Sequence, residues 1–107
     1  MSTEKEIVKM AESGNAEAQA QMAEKCIIRQ DAEGAWKWVN LSAAQKNACG
    51  LYALGMCYLT GFGTEVSLDK ARELFEESIS LGYVRANTGL AGILTSKGDP
   101  FGKETLL

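Results

Sequence analysis

The feature that most constrains the fold of this 107-residue chain is an internal repeat. Residues 48–58 (ACGLYALGMCY) align with residues 84–94 (VRANTGLAGIL) at an offset of 36, and with residues 16–26 (AEAQAQMAEKC) at an offset of 32. Small residues fall on small residues, and Leu54 falls on Leu90. A period in this range predicts stacked copies of one supersecondary unit.

Each unit contains two helix types, which we call A and B. The segments between the aligned A helices, residues 35–44 and 71–80, align with each other at an offset of 36. Their apolar residues recur three and four positions apart, which is the spacing of one helix face, and no segment alternates as a strand would. The chain therefore reads B, A, B, A, B, A. We predict helices near residues 3–13, 15–29, 31–45, 48–60, 67–81 and 84–97.

Start and stop signals agree with these helices. Side chains that cap helix N-termini stand at or just before the expected starts, and glycines follow two expected ends. Thr3 with Glu6 also forms a capping-box pattern. The predicted N-caps are Thr3, Asn15, Asp31 and Ser67, and the predicted terminating glycines are Gly14 and Gly82.

The middle of the chain resembles the Sel-one-like repeat, a relative of the tetratricopeptide repeat. The matching residues are Leu54-Gly55, Tyr58, Gly61-Phe62-Gly63 and Lys70-Ala71. The first repeat matches in its small residues, but its connection from Ile27 to Gln30 is four residues shorter and lacks the Gly-x-Gly loop. The third repeat stops after its A helix.

The resemblance implies an all-α fold, a short right-handed α-solenoid of antiparallel helix pairs, in a protein that acts as a scaffold in complexes. We expect one domain over residues 1–107, and a start at Met1 suggests a complete chain. Its parts would be an N-terminal helix (1–14), repeat 1 (15–46), repeat 2 (47–82), and a half repeat with a C-terminal tail (83–107).

Packing between repeats should depend on residue size. Small side chains would let neighbouring helices approach, and bulky ones would fill the space between successive pairs. The expected small positions are Ala18, Ala23, Gly50, Gly55 and Ala91. The expected bulky positions are Met22, Trp38, Leu54, Tyr58, Phe75 and Leu90.

Composition excludes several classes of function. The chain has no histidine, which removes Ser-His and Cys-His nucleophile pairs and most zinc sites, so we expect no catalytic constellation, metal or cofactor. A net charge of −3 without a basic stripe argues against nucleic-acid binding. No apolar run reaches membrane-spanning length, and the charged N-terminus is unlike a signal peptide. We therefore expect a cytoplasmic protein, and the frequency of short repeat proteins in bacteria suggests a bacterial one.

The three cysteines are expected to be reduced and structural. Cys49 and Cys57 lie eight residues apart on one helix, about 12 Å along its axis, which is too far for a disulfide. Cys26 aligns with Tyr58 in a core column and should be buried. Cys49 shares a column with Glu17 and Arg85, so it should be the most exposed of the three. A thiol-dependent enzyme using Cys49 lacks a neighbouring base.

The candidate functional site is the concave surface that A helices form in tetratricopeptide-type stacks. Position along each helix predicts that it is lined by Glu17, Ala20, Glu24, Ile27, Cys49, Tyr52, Met56, Leu59, Arg85, Thr88 and Thr95. An apolar stripe beside acidic residues and one arginine is typical of a peptide-binding surface. The alternative is that Tyr52 and Leu59 pack between neighbouring A helices. The surface is some hundreds of Å², below the roughly 800 Å² per partner of stable complexes, so a short peptide, a weak contact or one face of a larger assembly would fit it, but a globular partner held by this face alone would not.

Trp36 is a candidate second contact. It aligns with Arg72, at a position expected to be exposed. Either Trp36 is a surface aromatic that touches a partner, or repeat 1 packs differently near its shortened connection. We favour packing of Trp36 against the N-terminal helix.

Two functions follow. The first is a non-catalytic module that binds a peptide or partner protein in the A-helix groove. The second is a structural protein that assembles into homo-oligomers, because the last A helix would leave Leu90, Ile93 and Leu94 uncovered. A tail that folds back, with Phe101 or Leu106 on that face, would give a monomer, and otherwise a weak homodimer is expected.

Overall fold

The computed structural model describes residues 3–96, with side chains through residue 93, and contains six helices and no strand in that range. They are α1 (Glu4–Glu12), α2 (Ala16–Ile28), α3 (Ala32–Ala44), α4 (Ala48–Thr60), α5 (Leu68–Ser80) and α6 (Ala86–Ser96). Each end lies within two residues of its prediction, and the all-α prediction is confirmed. The C-terminal tail proposed to cover α6 lies outside the described residues.

Local hydrogen bonds explain why the helices start where they do. The side chains of Thr3, Asn15, Asp31, Asn47 and Ser67 each accept a hydrogen bond from the backbone N–H three residues later. Each bond satisfies one of the donors that a helix N-terminus leaves without an intrahelical partner. The four predicted caps are confirmed, and Asn47 adds a fifth.

The first three connections between helices are turns of three residues that share one geometry. The middle residue of each turn adopts a left-handed backbone: Gly14 has φ 105°, and Gln30 and Lys46 have φ 60°. The next residue donates its N–H back to the third-last helical carbonyl, as Asp31 does to Cys26 at 2.8 Å. That arrangement is a Schellman turn, and here its last residue also caps the next helix. Such a compact reversal places consecutive helices antiparallel.

The α4–α5 connection, residues 61–67, is longer and runs across the preceding repeat. Gly61 and Gly63 have φ values of 75° and 77°, in the left-handed region that glycine adopts without steric cost. The loop passes so close to α3 that a Cβ on Gly63 would lie 3.3 Å from the Ala32 carbonyl oxygen. The loop of repeat 2 therefore packs against α3 of repeat 1.

The helices form two layers. Within residues 3–96, α2 contacts α4 and α4 contacts α6, whereas α1, α3 and α5 make no comparable contacts with one another. The A helices are thus closer together than the B helices. A stack of this kind bends towards its A side, so that α2, α4 and α6 form the inner layer of a helical solenoid.

Most expected core positions are buried, and one of them is exposed. Phe75 is fully buried, and Met22 and Trp38 are nearly so. Ala91 was expected at a close helix contact but is exposed, because the last A helix has only one neighbour in its own layer.

The end of the stack is better covered than expected. Ile93 is only 4% exposed and Leu90 is half-buried, because both pack with residues of α4 and α5. The prediction that Ile93 forms part of an uncovered face is therefore wrong, since its helix turns that side chain inward. The Leu94 side chain lies outside the described residues.

Candidate functional site

A groove lies on the inner layer, where α2, α4 and the start of α6 meet. It encloses about 270 Å³ and is lined by Glu24, Ile27, Ile28, Tyr52, Ala53, Met56 and Arg85. Five of these residues were predicted from the sequence: Glu24, Ile27, Tyr52, Met56 and Arg85. Ile28 and Ala53 were not, and Ile28 is 81% exposed at the rim.

Helical spacing brings these side chains together. Tyr52 and Met56 are four residues apart on α4, and Glu24 is three and four residues before Ile27 and Ile28 on α2. Residues at these spacings share one helix face. Because α2 packs directly on α4, the two faces border a single concavity with an apolar floor.

The Tyr52 ring is held by aromatic neighbours on the side away from the groove. Its centroid is 5.9 Å from that of Phe75, which is fully buried in α5, and 5.3 Å from that of Tyr83. Offset aromatic contacts at such distances fix a ring in place. Tyr52 thus lines the groove and also packs against α5 and the α5–α6 turn.

Tyr83 was missed as a neighbour of the site. It follows Gly82 in the α5–α6 turn, and its N–H donates to the Ser78 carbonyl at 3.1 Å. This is another Schellman turn, in which the residue after the glycine packs back on the helix. A large apolar residue directly after a helix-terminating glycine was the signal in the sequence.

Arg85 stands at the α6 edge of the groove. Its guanidinium carbon lies 5.9 Å from the Tyr52 ring centroid, and interaction with the nearby Tyr83 hydroxyl is the main cause that raises the pKa of Arg85. The residue is exposed, and none of the three ion pairs formed by the described residues includes it. Arg85 therefore presents a positive charge that is oriented by two tyrosines.

Glu24, Cys49 and Tyr83 form a polar cluster beside the groove. The Cys49 sulfur lies 3.5 Å from a Glu24 carboxylate oxygen and 3.8 Å from the Tyr83 hydroxyl, and its single S–H can donate to either of them. Burial is the main cause that raises the pKa of Cys49, and the charges of Glu24 and Glu17 raise it further. The thiol is therefore neutral at physiological pH and is a poor nucleophile, which disfavours thiol catalysis.

Several predicted groove residues do not line this concavity. Glu17 borders a separate depression with α1, and Leu59 is half-buried among residues of α4, α5 and α6. Thr88 is exposed on α6, and the Thr95 side chain lies outside the described residues. Ala20 was expected in the groove but is fully buried, because α2 packs against both α1 and α4 and a methyl group is too short to emerge.

Trp36 packs on α4 rather than on the N-terminal helix. Its ring meets Tyr58 edge-on at 5.6 Å, and its Cβ lies beside Gly63 of the long loop. Within the described residues α1 does not contact α3. The prediction of a contact with α1 is therefore wrong, because the repeat 2 loop occupies the side of α3 from which Trp36 projects.

The cysteines, the potential metal-binding side chains and the lengths of the helices also bear on function. Cys26 and Cys57 are buried and Cys49 is half-buried, all three as free thiols, as expected from their columns. No group of three or more potential metal-binding side chains occurs in the part of the chain described. No helix there is long and apolar enough to cross a membrane.

A solenoid of helix hairpins with an open groove on its inner layer defines a helical-repeat protein. A family model described as the Sel1 repeat matches residues 16–47 and 50–83, more than half of the chain. The chain belongs to the Sel1 repeat family. Sel1 repeats generally mediate protein–protein interactions and are typically non-catalytic. Neither the curated proteins nor the solved structures contain a match to this chain.

Proposed function

We propose that this protein is a non-catalytic adaptor that binds a short peptide segment of a partner protein in the groove between α2, α4 and α6. The observation that carries the proposal is the convergence of Ile27, Tyr52 and Met56 between two charged residues, Glu24 and Arg85, in one concavity. Bulky apolar anchors inside a polar rim are the features that carry most of the affinity at protein interfaces.

The size of the groove is compatible with a short peptide. Its volume is about 270 Å³. One or two apolar side chains of a peptide fit such a space, while the rest of the segment lies along the rim. The exposed Ile28 side chain adds apolar surface to that rim.

The test compares two substitutions of exposed apolar residues. Ile28→Asp places a charge at the groove, whereas Val66→Asp places the same charge in the α4–α5 loop, at a side chain that is 57% exposed. Both variants should keep the wild-type circular dichroism spectrum. We expect a partner captured from lysate and then purified to bind the wild type and Val66→Asp equally in calorimetry, and Ile28→Asp at least ten-fold more weakly. Equal affinity for all three proteins would reject the groove.

The alternative, self-assembly into homo-oligomers, is tested on the same proteins. Sedimentation of the wild type over a hundred-fold range of concentration should show a monomer. A concentration-dependent dimer that Ile28→Asp leaves intact would favour a structural role through another surface, including the C-terminal end.

A further inference from the structure

The charges at the two edges of the groove define the chemistry of its ligand. We propose that the groove selects peptides with a bulky apolar residue between one acidic and one basic residue. This inference rests on the proposed peptide-binding function and adds the charge pattern of the ligand. The acidic side chain would meet Arg85, the apolar side chain would enter between Ile27 and Met56, and the basic side chain would meet Glu24.

The positive edge is suited to a carboxylate. Arg85 is exposed, and the ion pairs of the described residues leave it out, so its five N–H donors are not committed to a protein carboxylate. Tyr52 and Tyr83 orient the guanidinium. A planar, oriented guanidinium binds a carboxylate through two parallel hydrogen bonds, which gives directional selectivity.

The negative edge is suited to a lysine or arginine. Glu24 is half-buried on α2, and its only hydrogen bond among those found is the long one from the Cys49 thiol. A neutral thiol at 3.5 Å leaves most of the acceptor capacity of a carboxylate open. An acidic ligand residue at this edge would be repelled by Glu24 and also by Glu17 on the same helix.

The distance between the two edges sets the length of the ligand. The Cys49 sulfur lies 3.5 Å from the Glu24 carboxylate and 3.8 Å from the hydroxyl of Tyr83, which lies next to Arg85, so only one cysteine and one tyrosine separate the two edges. An extended peptide advances about 3.3 Å per residue. We therefore expect the acid and the base to be about two to three residues apart, with the apolar residue between them.

The experiment is a selection from a phage-displayed library of random heptapeptides against immobilised proteins. We expect peptides selected by the wild type to carry one acid, one base and a bulky apolar residue between them. Arg85→Glu should select peptides with two basic residues, and Glu24→Lys should select peptides with two acidic residues. Because this readout counts charges, it does not depend on the direction in which the peptide binds.

Arg72→Glu is the matched control for net charge. It makes the same change as Arg85→Glu, but on the outer face of α5, where Arg72 pairs with Glu76 at 3.2 Å. It should select the same peptides as the wild type. The selected wild-type peptide, made synthetically, should lose at least ten-fold in affinity for Arg85→Glu in fluorescence anisotropy. When the acidic residue of this peptide is changed to lysine, the peptide should regain the lost affinity for Arg85→Glu.

The other outcomes of the selection distinguish failure of the charge pattern from failure of the groove function. Apolar peptides without a charge preference, selected equally by the wild type and both groove variants, would overturn the charge pattern and leave the groove function intact. Selection of no peptide by the wild type, or of the same peptides by Ile28→Asp, would reject the groove function itself. A wild-type dimer that both groove charge variants abolish would assign the groove to a second copy of the chain and overturn the proposal.

Discussion

The two repeats solve the same packing problem with different residues. In repeat 2 the Phe75 ring fills the space between α4 and α6, where a Cβ added to Gly55 would lie 2.6 Å from the ring and one added to Gly89 would also overlap it. The aligned residues one unit earlier in the chain are Val39 and Ala23 of repeat 1 and Ala53 of repeat 2, and all three are buried in one cluster. A large side chain between two glycines thus corresponds to a smaller one between two alanines.

At both places the size of the central side chain is balanced by the size of its two neighbours. Interiors are packed densely, so a side chain can grow only where its neighbours shrink. In repeat 2 the exchange places an aromatic ring behind Tyr52, and that ring helps to hold the groove. The repeat 1 equivalent, a valine, offers no such aromatic support.

The largest expected effect is the loss of the Phe75 ring. Phe75→Ala would leave a cavity between two glycines that cannot fill it, and we expect the free energy of unfolding to fall by about 3–5 kcal/mol. Val39→Ala removes fewer buried atoms and should cost about 2 kcal/mol. Urea unfolding of both variants measures the difference. Equal losses in the free energy of unfolding for the two variants would show that the Phe75 ring is not what mainly fills the space between α4 and α6.

A methyl group on Gly89 should be the next largest effect. Gly89→Ala directs a Cβ into the fully buried Phe75 ring and should cost about 2 kcal/mol. The control is Gly92→Ala on the same helix, where the Cβ meets only the end of the Leu59 side chain at 3.0 Å. Gly92→Ala should leave the free energy of unfolding unchanged or raise it, since alanine has a higher helix propensity than glycine.

The compensation itself is tested by a double-mutant cycle. Gly89→Ala combined with Phe75→Val recreates one of the two size pairings found one unit earlier, that of Val39 with Ala53, so the costs of the two single variants should sum to more than the cost of the double variant, by about 1–2 kcal/mol. Simple additivity in thermal unfolding would show that Gly89 and Phe75 are not coupled.

Two buried serines should behave alike in both repeats. Ser42 Oγ donates to the Ala16 carbonyl, and Ser78 Oγ donates to the Ala48 carbonyl, each at 2.7 Å. Removing either hydroxyl by substitution with alanine should cost about 1 kcal/mol, the net value of one buried hydrogen bond. A cost confined to one serine in chemical denaturation would mean that the repeats differ at this contact.

The turns offer a smaller, stabilising change. In repeat 1 the turn after α2 has Gln30 in a left-handed backbone, whereas in repeat 2 α4 is capped by Gly61 in that conformation. Gln30→Gly should remove the Cβ strain and raise the free energy of unfolding by about 0.5–1 kcal/mol, after the extra entropy of glycine in the unfolded chain. Thermal unfolding checks this, and a lower melting temperature would contradict it.

The pH dependence of stability should report on Cys57. Burial raises the pKa of this thiol from 9.0 to about 11. Above pH 9 the unfolded chain ionises Cys57 while the folded chain does not, so its contribution to stability falls as the pH rises from about 9 to 11. Cys57→Ala should show a shallower decline than the wild type over this window. Parallel curves would place Cys57 in a more polar environment.

Much of this structure could be predicted because it depends on short-range interactions. The caps at Asn15 and Asp31 join residues three apart, and the turn after Gly82 closes over five residues. Groove membership was harder to predict. Tyr52 and Met56 were found because helical spacing fixes their common face, whereas Tyr83 depends on how a turn folds back beneath that face.

The sequence by itself determined the number of helices, their ends, their caps and the repeat that stacks them. Those properties follow from backbone hydrogen bonds and helical periodicity, which act over a few residues. Only the tertiary structure decided that Trp36 meets the long loop of repeat 2, that Ala20 is covered, and that Leu59 leaves the groove. These outcomes depend on the rotation and spacing of helices 20 or more residues apart in the chain, to which local propensities are insensitive.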